Sequence, residues 1–227
     1  MKLLLRSDFI DYYDHHFDTL DRPRIHMNYQ RMSRVNYTRH DNFLYMRETL
    51  NLLTPEFGIV EDMHRRFRFS TRLPDVVVYI DDKAHQGDGK EKLGLEEAMR
   101  KYPQSLCSMY LKEEPSTSYR VVAIGEDGPR VWLKYQSLTH PWKSNVGDVE
   151  VEKVAWKGTK KPDRGHIPNI VSYNSPIFAV DFVAFNGNLY AIDFNHSPLL
   201  RWTGIEELVE PKMIVKEIRK WMIRAMH

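Results

Sequence analysis

The chain has 227 residues, 28% charged and 42% hydrophobic, with a formal net charge of +2 and one cysteine, Cys107. That is the composition of a soluble globular protein with a sizeable core; it excludes an internal disulfide, and the near-neutral total gives no argument for nucleic acid. There is no internal repeat or low-complexity tract and no apolar run long enough to span a membrane, and Met1–Arg6 is too short for a signal peptide. The expectation is a cytoplasmic protein, in a host cytoplasm if the chain is viral.

In chain order, Lys2–Leu5 is a predicted strand, and Asp8–Arg39 is dense in Tyr, His, Arg and Asp without a clear period. Phe43, Met46, Leu50 and Leu53 recur at helical spacing after a capping Asp41 or Asn42. Pro55 and Gly58 end that helix ahead of a short Ile59-Val60 strand, and His64, Arg65, Arg66 and Arg68 form a basic cluster. Val76–Ile80 is an apolar run of buried-strand type, Gly87-Asp-Gly89 a flexible loop, and Leu95–Lys101 a short helix stopped by Pro103. Leu106–Leu111 is strand-like. Tyr119–Ile124 and Val131–Gln136 make a hairpin around Asp127-Gly128, and Val149, Val151 and Val154 suggest another strand. Trp156–Pro168 reads as a loop, and Pro211 opens a last helix whose apolar face is Ile214, Ile218, Trp221, Met222 and Ala225. Antiparallel hairpins bracketed by helices make an α+β pattern.

The most informative stretch is Phe178–Pro198, two strands around an Asn186-Gly187 turn. With a three-residue loop, Phe185 faces Leu189, Val180 faces Phe194, Phe182 faces Ile192 and Ala184 faces Tyr190, a continuous apolar face. The other face then sets Asp181 opposite Asp193 and Asn195 opposite Ala179. Opposed residues have Cβ atoms roughly 5 Å apart, where like charges repel unless a proton or cation lies between them. Two carboxylates and an amide carbonyl are a hard oxygen set suited to Mg²⁺. The plainer alternative is a hairpin with one solvated acidic face.

Ala-Val-Asp-Phe followed by Ala-Ile-Asp-Phe-Asn-His-Ser-Pro resembles the metal-binding end of the ATP-grasp family, with Asp181, Asp193 and Asn195 at the magnesium-ligand positions. Asp193 stands where Glu is commoner. The resemblance implies an ATP-grasp fold, two α+β lobes clamping a nucleotide: a short segment 1–35, then a domain 36–227 divided into a first lobe 36–105 and a second lobe 106–227. Further segments extend the resemblance mostly to the branch that ligates amino acids to carboxylates, such as the ribosomal-protein glutamate ligases. Asn42–Val60 looks like the family's helix and strand before the grasp. The segment ahead of Asn36 is too short for the α/β domain many members carry there.

The same resemblance assigns further residues. Met109, Tyr110 and Leu111 would read the adenine edge with their backbone, and Glu113 or Glu114 the ribose hydroxyls. Arg120 would hold the γ-phosphate or an acyl phosphate, a task that suits a planar guanidinium. Trp142-Lys-Ser-Asn-Val-Gly147 is similar to a family element whose basic residue and Asn approach phosphates and metal, here Lys143 and Asn145. Gln86, Gly87, Gly89 and Lys90 resemble the glycine-rich flap, where glycines let N–H groups approach anionic oxygens. The chain departs from the family at Tyr79, where a phosphate-contacting lysine is usual; Lys83, Lys90 or Lys92 would have to compensate. Arg201 lies where the family handles its carboxylate substrate, and the loop Lys157–His166 is a further candidate for substrate contact.

The implied activity is an ATP- and Mg²⁺-dependent ligase joining a small-molecule or peptide carboxylate to an amine through an acyl phosphate, with Arg120 and Lys143 stabilising the transfer. No Cys-His or Ser-His-Asp constellation competes with it. Two alternatives stand beside it. A degenerate, non-catalytic nucleotide-binding protein on the same fold follows from the missing lysine. A nucleic-acid-processing protein follows from Arg22, Arg24, Arg31, Arg34, Arg39 and the Arg65–Arg68 cluster, with Tyr29 and Tyr37 interleaved. Ion-paired surface arginines are the plainer account of that set.

Overall fold

The computed structural model describes residues 3–6, 29–32, 38–81, 89–111, 117–125, 130–154, 177–195, 198, 205 and 208–224. The expected sites at Gln86, Gly87, Glu113, Glu114 and Arg201, the loop Lys157–His166, Lys83 and Arg22, Arg24 and Arg34 lie outside the described residues.

Strands β1 (Leu3–Arg6) and β2 (Tyr29–Met32) pair in parallel. Helix α1 (Arg39–Leu44) runs on into a π-helical turn over Tyr45–Thr49, closed by Leu50 N–H donating to the Tyr45 carbonyl at 3.1 Å. Its N-cap is Thr38 rather than the expected Asp41 or Asn42. Asp41 instead occupies the third helical position and completes a capping box: Thr38 Oγ1 accepts from the Asp41 N–H, and Asp41 Oδ2 from the Thr38 N–H.

A four-stranded antiparallel sheet follows, ordered β3 (Phe57–Ile59), β6 (Leu106–Met109), β4 (Asp75–Tyr79), β5 (Lys90–Gly94). Helices α2 (Val60–Phe67) and α3 (Leu95–Lys101) cover one face, where Val60, Met63, Val76, Val78, Leu95, Ala98 and Cys107 form a core. The expected Ile59-Val60 strand divides: Ile59 closes β3 and Val60 opens α2. The basic cluster is therefore the last turn of a helix, whose acids Glu61 and Asp62 sit at its start, the charge order the helix dipole favours. Strand β5, Lys-Glu-Lys-Leu-Gly, carries little β-propensity and is a strand because β4 pairs with it. The chain leaves this sheet only after Met109, so β6 belongs with the first-lobe strands although it falls past the expected 105/106 division.

The larger antiparallel sheet is ordered β11 (Asn188–Asn195), β10 (Ile177–Phe185), β7 (Thr117–Ile124), β8 (Arg130–Ser137), β9 (Val149–Lys153). One face carries Val121, Ala123, Phe178, Val180, Phe182, Leu189, Ala191 and Phe194, packed with Phe43 of α1, Met46 of the π-helical turn, Phe57 and Tyr79. The other face carries Val122, Ile124, Val131, Leu133, Ile177 and Ala179, covered by Ile214, Val215 and Ile218 of helix α4 (Pro211–Arg224). Farther along, that second face turns polar at Arg120 and Asp181.

The β10–β11 register is partly as expected. Ala179 faces Asn195, Val180 faces Phe194 and Asp181 faces Asp193. Past Asp181 the pairing slips by one: Phe182 faces Ala191, Val183 faces Tyr190, Ala184 faces Leu189 and Phe185 faces Asn188. The expected Phe182–Ile192, Ala184–Tyr190 and Phe185–Leu189 pairs are thus corrected. The cause is the turn: Asn186 (φ 49°) and Gly187 (φ 75°) are both left-handed, a two-residue type I′ loop, and Ile192 is left over as a β-bulge. The bulge keeps Ala191 and Leu189 in the core and puts Ile192 on the same side as Asp193.

A Cβ at Gly187 would meet nothing within 4 Å, so the cost of Gly187→Ala is conformational. We expect it to remove about 1–2 kcal/mol, the left-handed penalty of an L residue, with the fold retained. A urea midpoint equal to wild type would refute the two-residue turn.

Candidate functional site

The polar row of the large sheet and the uncovered face of the small sheet face one another across a cleft. Val77, Tyr79, Lys90, Ser108 and the segment Met109–Leu111 line one wall; Ser118, Asp181, Val183, Ile192 and Asp193 line the other; Trp142, Lys143, Ser144 and Asn145 close a third side. Of the expected site residues, Lys90, Met109, Tyr110, Leu111, Lys143, Asn145, Asp181 and Asp193 line this one cleft, and Arg120 contacts it through Asp181. Asn195 follows Asp193 on the same face of β11. Gly89 has φ +64° and its carbonyl accepts from the Ile80 N–H at 2.8 Å.

The aspartates are held by register. Asp181 opposes Asp193 on one side and Arg120 on the other. Arg120 grips Asp181 with both arms of its fork, Nε to Oδ1 at 2.6 Å and Nη2 to Oδ2 at 2.8 Å, both side chains 19% exposed. Asp181 thereby holds the guanidinium charged against the cost of burial. Asp193 is met by a residue that sequence reasoning placed among surface arginines: Arg39 Nη1 lies 3.2 Å from Asp193 Oδ1. Each of the opposed carboxylates is thus compensated by its own guanidinium group, Arg120 for Asp181 and Arg39 for Asp193. The sequence signal for Arg39 was the capping box, which fixes it as the first residue of α1, but nothing in the sequence told which way that turn faces.

Tyr79 is buried, with its hydroxyl 3.0 Å from Ser108 Oγ. Burial pushes its phenol up to about 12 against the pull of Arg39, so the ring is neutral. Lys90 is directly opposite Tyr79 across β4–β5, and its Nζ lies 5.6 Å from the ring centroid. Desolvation, and then Arg39, lower the Lys90 ammonium, while Asp193 and Asp181 work against them. Lys92 turns elsewhere, its Nζ 4.2 Å from the Tyr110 ring centroid and 3.6 Å from Asp75. Of Lys90 and Lys92, the two described lysines among those expected to compensate at Tyr79, Lys90 lines the cleft.

In the segment expected to read adenine, the Met109 N–H donates to the Glu56 carbonyl (2.7 Å) and the Tyr110 N–H to that of Asp75 (2.8 Å). These bonds fix the strand and leave Leu111 as the N–H that continues past them.

Lys143 and Asn145 ride on the connection between β8 and β9, an ordered loop. Ser137 Oγ accepts from the His140 N–H at 2.9 Å and donates to the Val146 carbonyl at 2.7 Å. His140 Nδ1 accepts from the N–H groups of Lys143 (2.9 Å) and Trp142 (3.3 Å). Ser144 Oγ is 2.6 Å from Ser118 Oγ, tying the loop to β7. Gly147 (φ +77°) allows this path, since a Cβ there would strike Thr139. Burial, and then Lys143, lower the His140 pKa.

Among the described residues, no three His, Cys, Asp or Glu side chains converge to hold a metal. The available donors are Asp181, Asp193 and Asn195, oxygen ligands that fit Mg²⁺ by type and by shared face. Cys107 is buried on the helix-covered side of the small sheet, its thiol pushed up to about 12 by burial, which excludes it as a nucleophile. Of the basic cluster, Arg65 pairs with Glu61 and Asp62, and Arg66 with Glu56, as expected of a surface ion-pair network. Among the described residues no helix is long and apolar enough to cross a membrane.

No family model matches the chain, and no curated protein matches it in sequence. Its fold matches solved ATP-grasp ligases. PsnB, an ATP-grasp ligase solved with a phosphomimetic variant of its minimal precursor, Mg and ADP, aligns with a TM-score of 0.56 and 15% identity, over 82% of this chain and 59% of PsnB. D-alanine–D-alanine ligase from Bacillus anthracis gives 0.54 and 12%, over 83% of this chain and 67% of the ligase. D-cycloserine synthetase DcsG gives 0.55 and 9%, over 80% and 70%. The likeness is one of fold: the chain has an α+β ATP-grasp fold, with two antiparallel sheets and flanking helices. It spans about 59% of the length of PsnB.

Removing Arg120 would leave Asp181 facing Asp193 with half its compensation gone. Arg120→Ala is expected to cost on the order of 3 kcal/mol in chemical denaturation, with Arg120→Lys intermediate; a loss below 1 kcal/mol would mean the pair is not structural.

Protonating His140 would turn Nδ1 from acceptor to donor and break both backbone bonds. Because its folded pKa is depressed, the loop is fully held above the ordinary value of about 6.5 and loosens as pH falls toward the folded value. Protection factors at the Trp142 and Lys143 amides, corrected for the intrinsic slowing of exchange in acid, should fall on acidification while those of β7 amides hold. A pH-independent difference would contradict the assignment.

Proposed function

We propose that the chain is an ATP- and Mg²⁺-dependent ligase that joins a carboxylate to an amine through an acyl phosphate. The observation that carries this reading is the charge pattern of the cleft. Lys90, Arg39, Arg120 and Lys143 surround Asp181 and Asp193 at the end where β10 and β11 meet the small sheet, and the Met109–Leu111 backbone runs along the facing wall. A polyphosphate suits the cations, and a planar base suits the backbone and the apolar Val77 and Ile192.

In this reading the Leu111 N–H reads the adenine edge, and Lys90 and Lys143 contact phosphate oxygens. Asp181, Asp193 and Asn195 would hold Mg²⁺, which when bound neutralises charge on the phosphates. Arg120 keeps Asp181 oriented and adds positive charge beside the γ-phosphate. The substrate carboxylate oxygen attacks the γ-phosphorus as its bond to the ADP oxygen breaks. The amine nitrogen then attacks the acyl carbon, phosphate leaves, and the amine proton is lost. Stabilisation is mainly electrostatic and needs no covalent enzyme intermediate. PsnB was solved with a precursor peptide, and the other two neighbours are a D-alanine–D-alanine ligase and a D-cycloserine synthetase, so peptide and amino-acid carboxylates are the first substrates to try. The proximity to ribosomal-protein glutamate ligases rests on the sequence motifs alone.

The second reading, a nucleotide-binding protein without turnover, is favoured by Tyr79 in the lysine's place and by arginines on both aspartates. Calorimetry with ATP, with and without Mg²⁺, tests both. Binding that strengthens with Mg²⁺ and drops at least tenfold in Asp193→Ala supports the grasp site, and substrate-dependent ADP release then separates ligase from non-catalytic binder. Wild-type protein that binds no nucleotide would overturn both readings.

A further inference from the structure

Arg39 is positioned by the structure more firmly than a surface arginine needs to be. It is the first residue of α1, and the Thr38–Asp41 capping box fixes the backbone from which it projects. Phe43, one turn along, stacks on Phe57 (4.8 Å between centroids) and meets Tyr79 edge-on (6.1 Å), so the helix is docked on the cleft wall. The Arg39 side chain is 11% exposed and its guanidinium lies 4.9 Å from the Tyr79 ring centroid, while Nη1 is 3.2 Å from Asp193. Tyr79 is itself pinned by Ser108 and Phe43, a neutral and immobile platform for a cation. Lys90 approaches the same ring.

Two cations held over one ring repel each other, and the arrangement is tolerated because Asp193 and Asp181 are adjacent. If a divalent ion takes Asp193, the guanidinium loses that carboxylate while remaining on the ring beside Lys90. Breaking the pair leaves positive charge undercompensated over the ring unless another anion arrives with the metal. Phosphate oxygens are such an anion, and a guanidinium fork matches them in geometry.

We propose, building on the nucleotide-site reading above, that Arg39 is a partner-exchanging cation: it holds Asp193 until a divalent ion takes that carboxylate, and then passes, along the face of Tyr79, to the phosphate oxygens. Metal and phosphate then bind with positive coupling, and by linkage each raises the affinity of the other by the same factor. Tyr79 is the surface along which the exchange takes place, so an aromatic ring there does part of what a charged side chain would do.

The test is calorimetry of Mg²⁺ alone, ADP alone, and ADP at saturating Mg²⁺, on wild type, Arg39→Gln and Arg39→Lys, with adenosine as a probe that lacks phosphates. In Arg39→Gln, ADP affinity at saturating Mg²⁺ is expected to fall at least tenfold and adenosine affinity to stay within twofold. Affinity for Mg²⁺ alone should rise several-fold because Asp193 is released, and the factor by which Mg²⁺ strengthens ADP should shrink several-fold to the part that direct metal–phosphate attraction supplies. Arg39→Lys keeps the charge without the fork and should fall between; it also serves if the Gln variant fails to fold, as judged by circular dichroism. Unchanged ADP affinity, or a coupling factor equal to wild type in both variants, overturns the exchange while leaving the nucleotide site standing. Wild-type protein that binds adenosine, ADP and ATP not at all overturns the site reading on which it rests.

Discussion

Everything at the cleft depends on one row of residues across the large sheet: Asp193, Asp181 and Arg120, on β11, β10 and β7. Directly opposed carboxylates repel, and a sheet that places them together must supply cations at short range. Arg120 does so through the ladder itself, since the residue opposed to Asp181 on its other side is an arginine in bidentate contact. Arg39 does so from outside the sheet, on a helix packed against residues of both sheets. The first pairing is local to the register. The second requires the two sheets to be correctly docked, so the electrostatics of Asp193 report on assembly of the whole cleft.

That assembly follows from two sheets, each covered by helices over part of its surface. The small sheet hides Val76, Val78 and Cys107 under α2 and α3, which leaves Val77, Tyr79 and Ser108 on the alternate face. The large sheet hides Val122, Ile124 and Ile177 under α4, and the same face becomes Arg120, Asp181 and Val183 where α4 no longer covers it. Strand alternation therefore puts a polar strip on each sheet, and the hydrophobic contact of Phe43, Phe57, Phe178 and Phe194 brings the strips together. The bulge at Ile192 is part of the same solution. With a two-residue turn, an unbroken register could not set Asp193 opposite Asp181 and also bury Ala191 and Leu189.

Most of the large sheet was legible because its strands carry their own alternation, and Asp181, Asp193, Arg120, Lys143 and Asn145 stood out within it. The helix α2 was missed because its charges dominate the eye, although Val60, Met63 and Phe67 keep helical spacing. Strand β5 was missed for a firmer reason: Lys-Glu-Lys-Leu-Gly has no intrinsic signal, and its conformation comes from β4. The hairpin register failed only beyond Asp181, where an alternating pattern cannot distinguish a three-residue loop from a two-residue loop plus a bulge. Arg39 and His140 were illegible as site residues because each acts through tertiary placement. Arg39 reaches Asp193, far along the chain, and His140 acts by accepting backbone bonds that have no sequence pattern.

The same distinction governs the meaning of Tyr79. Compared position by position, a tyrosine where a lysine is usual counts as a lost charge, and a chain with such a loss reads as degenerate. In space the charge is not lost. Lys90 arrives from the opposed strand and Arg39 from α1, and both lie over the Tyr79 ring. A lysine at position 79 would put a third cation against these two, with Asp193 and Asp181 already engaged by guanidinium groups, and Coulomb repulsion at such distances would exceed any gain from another ammonium. The neutral ring is thus the residue type compatible with this particular pair of cations. On the proposed reading, the potential a phosphate would meet is decided by the sum of charge around the cleft, and that sum is carried by Lys90 on β5, Arg39 on α1 and Arg120 on β7 and not by position 79.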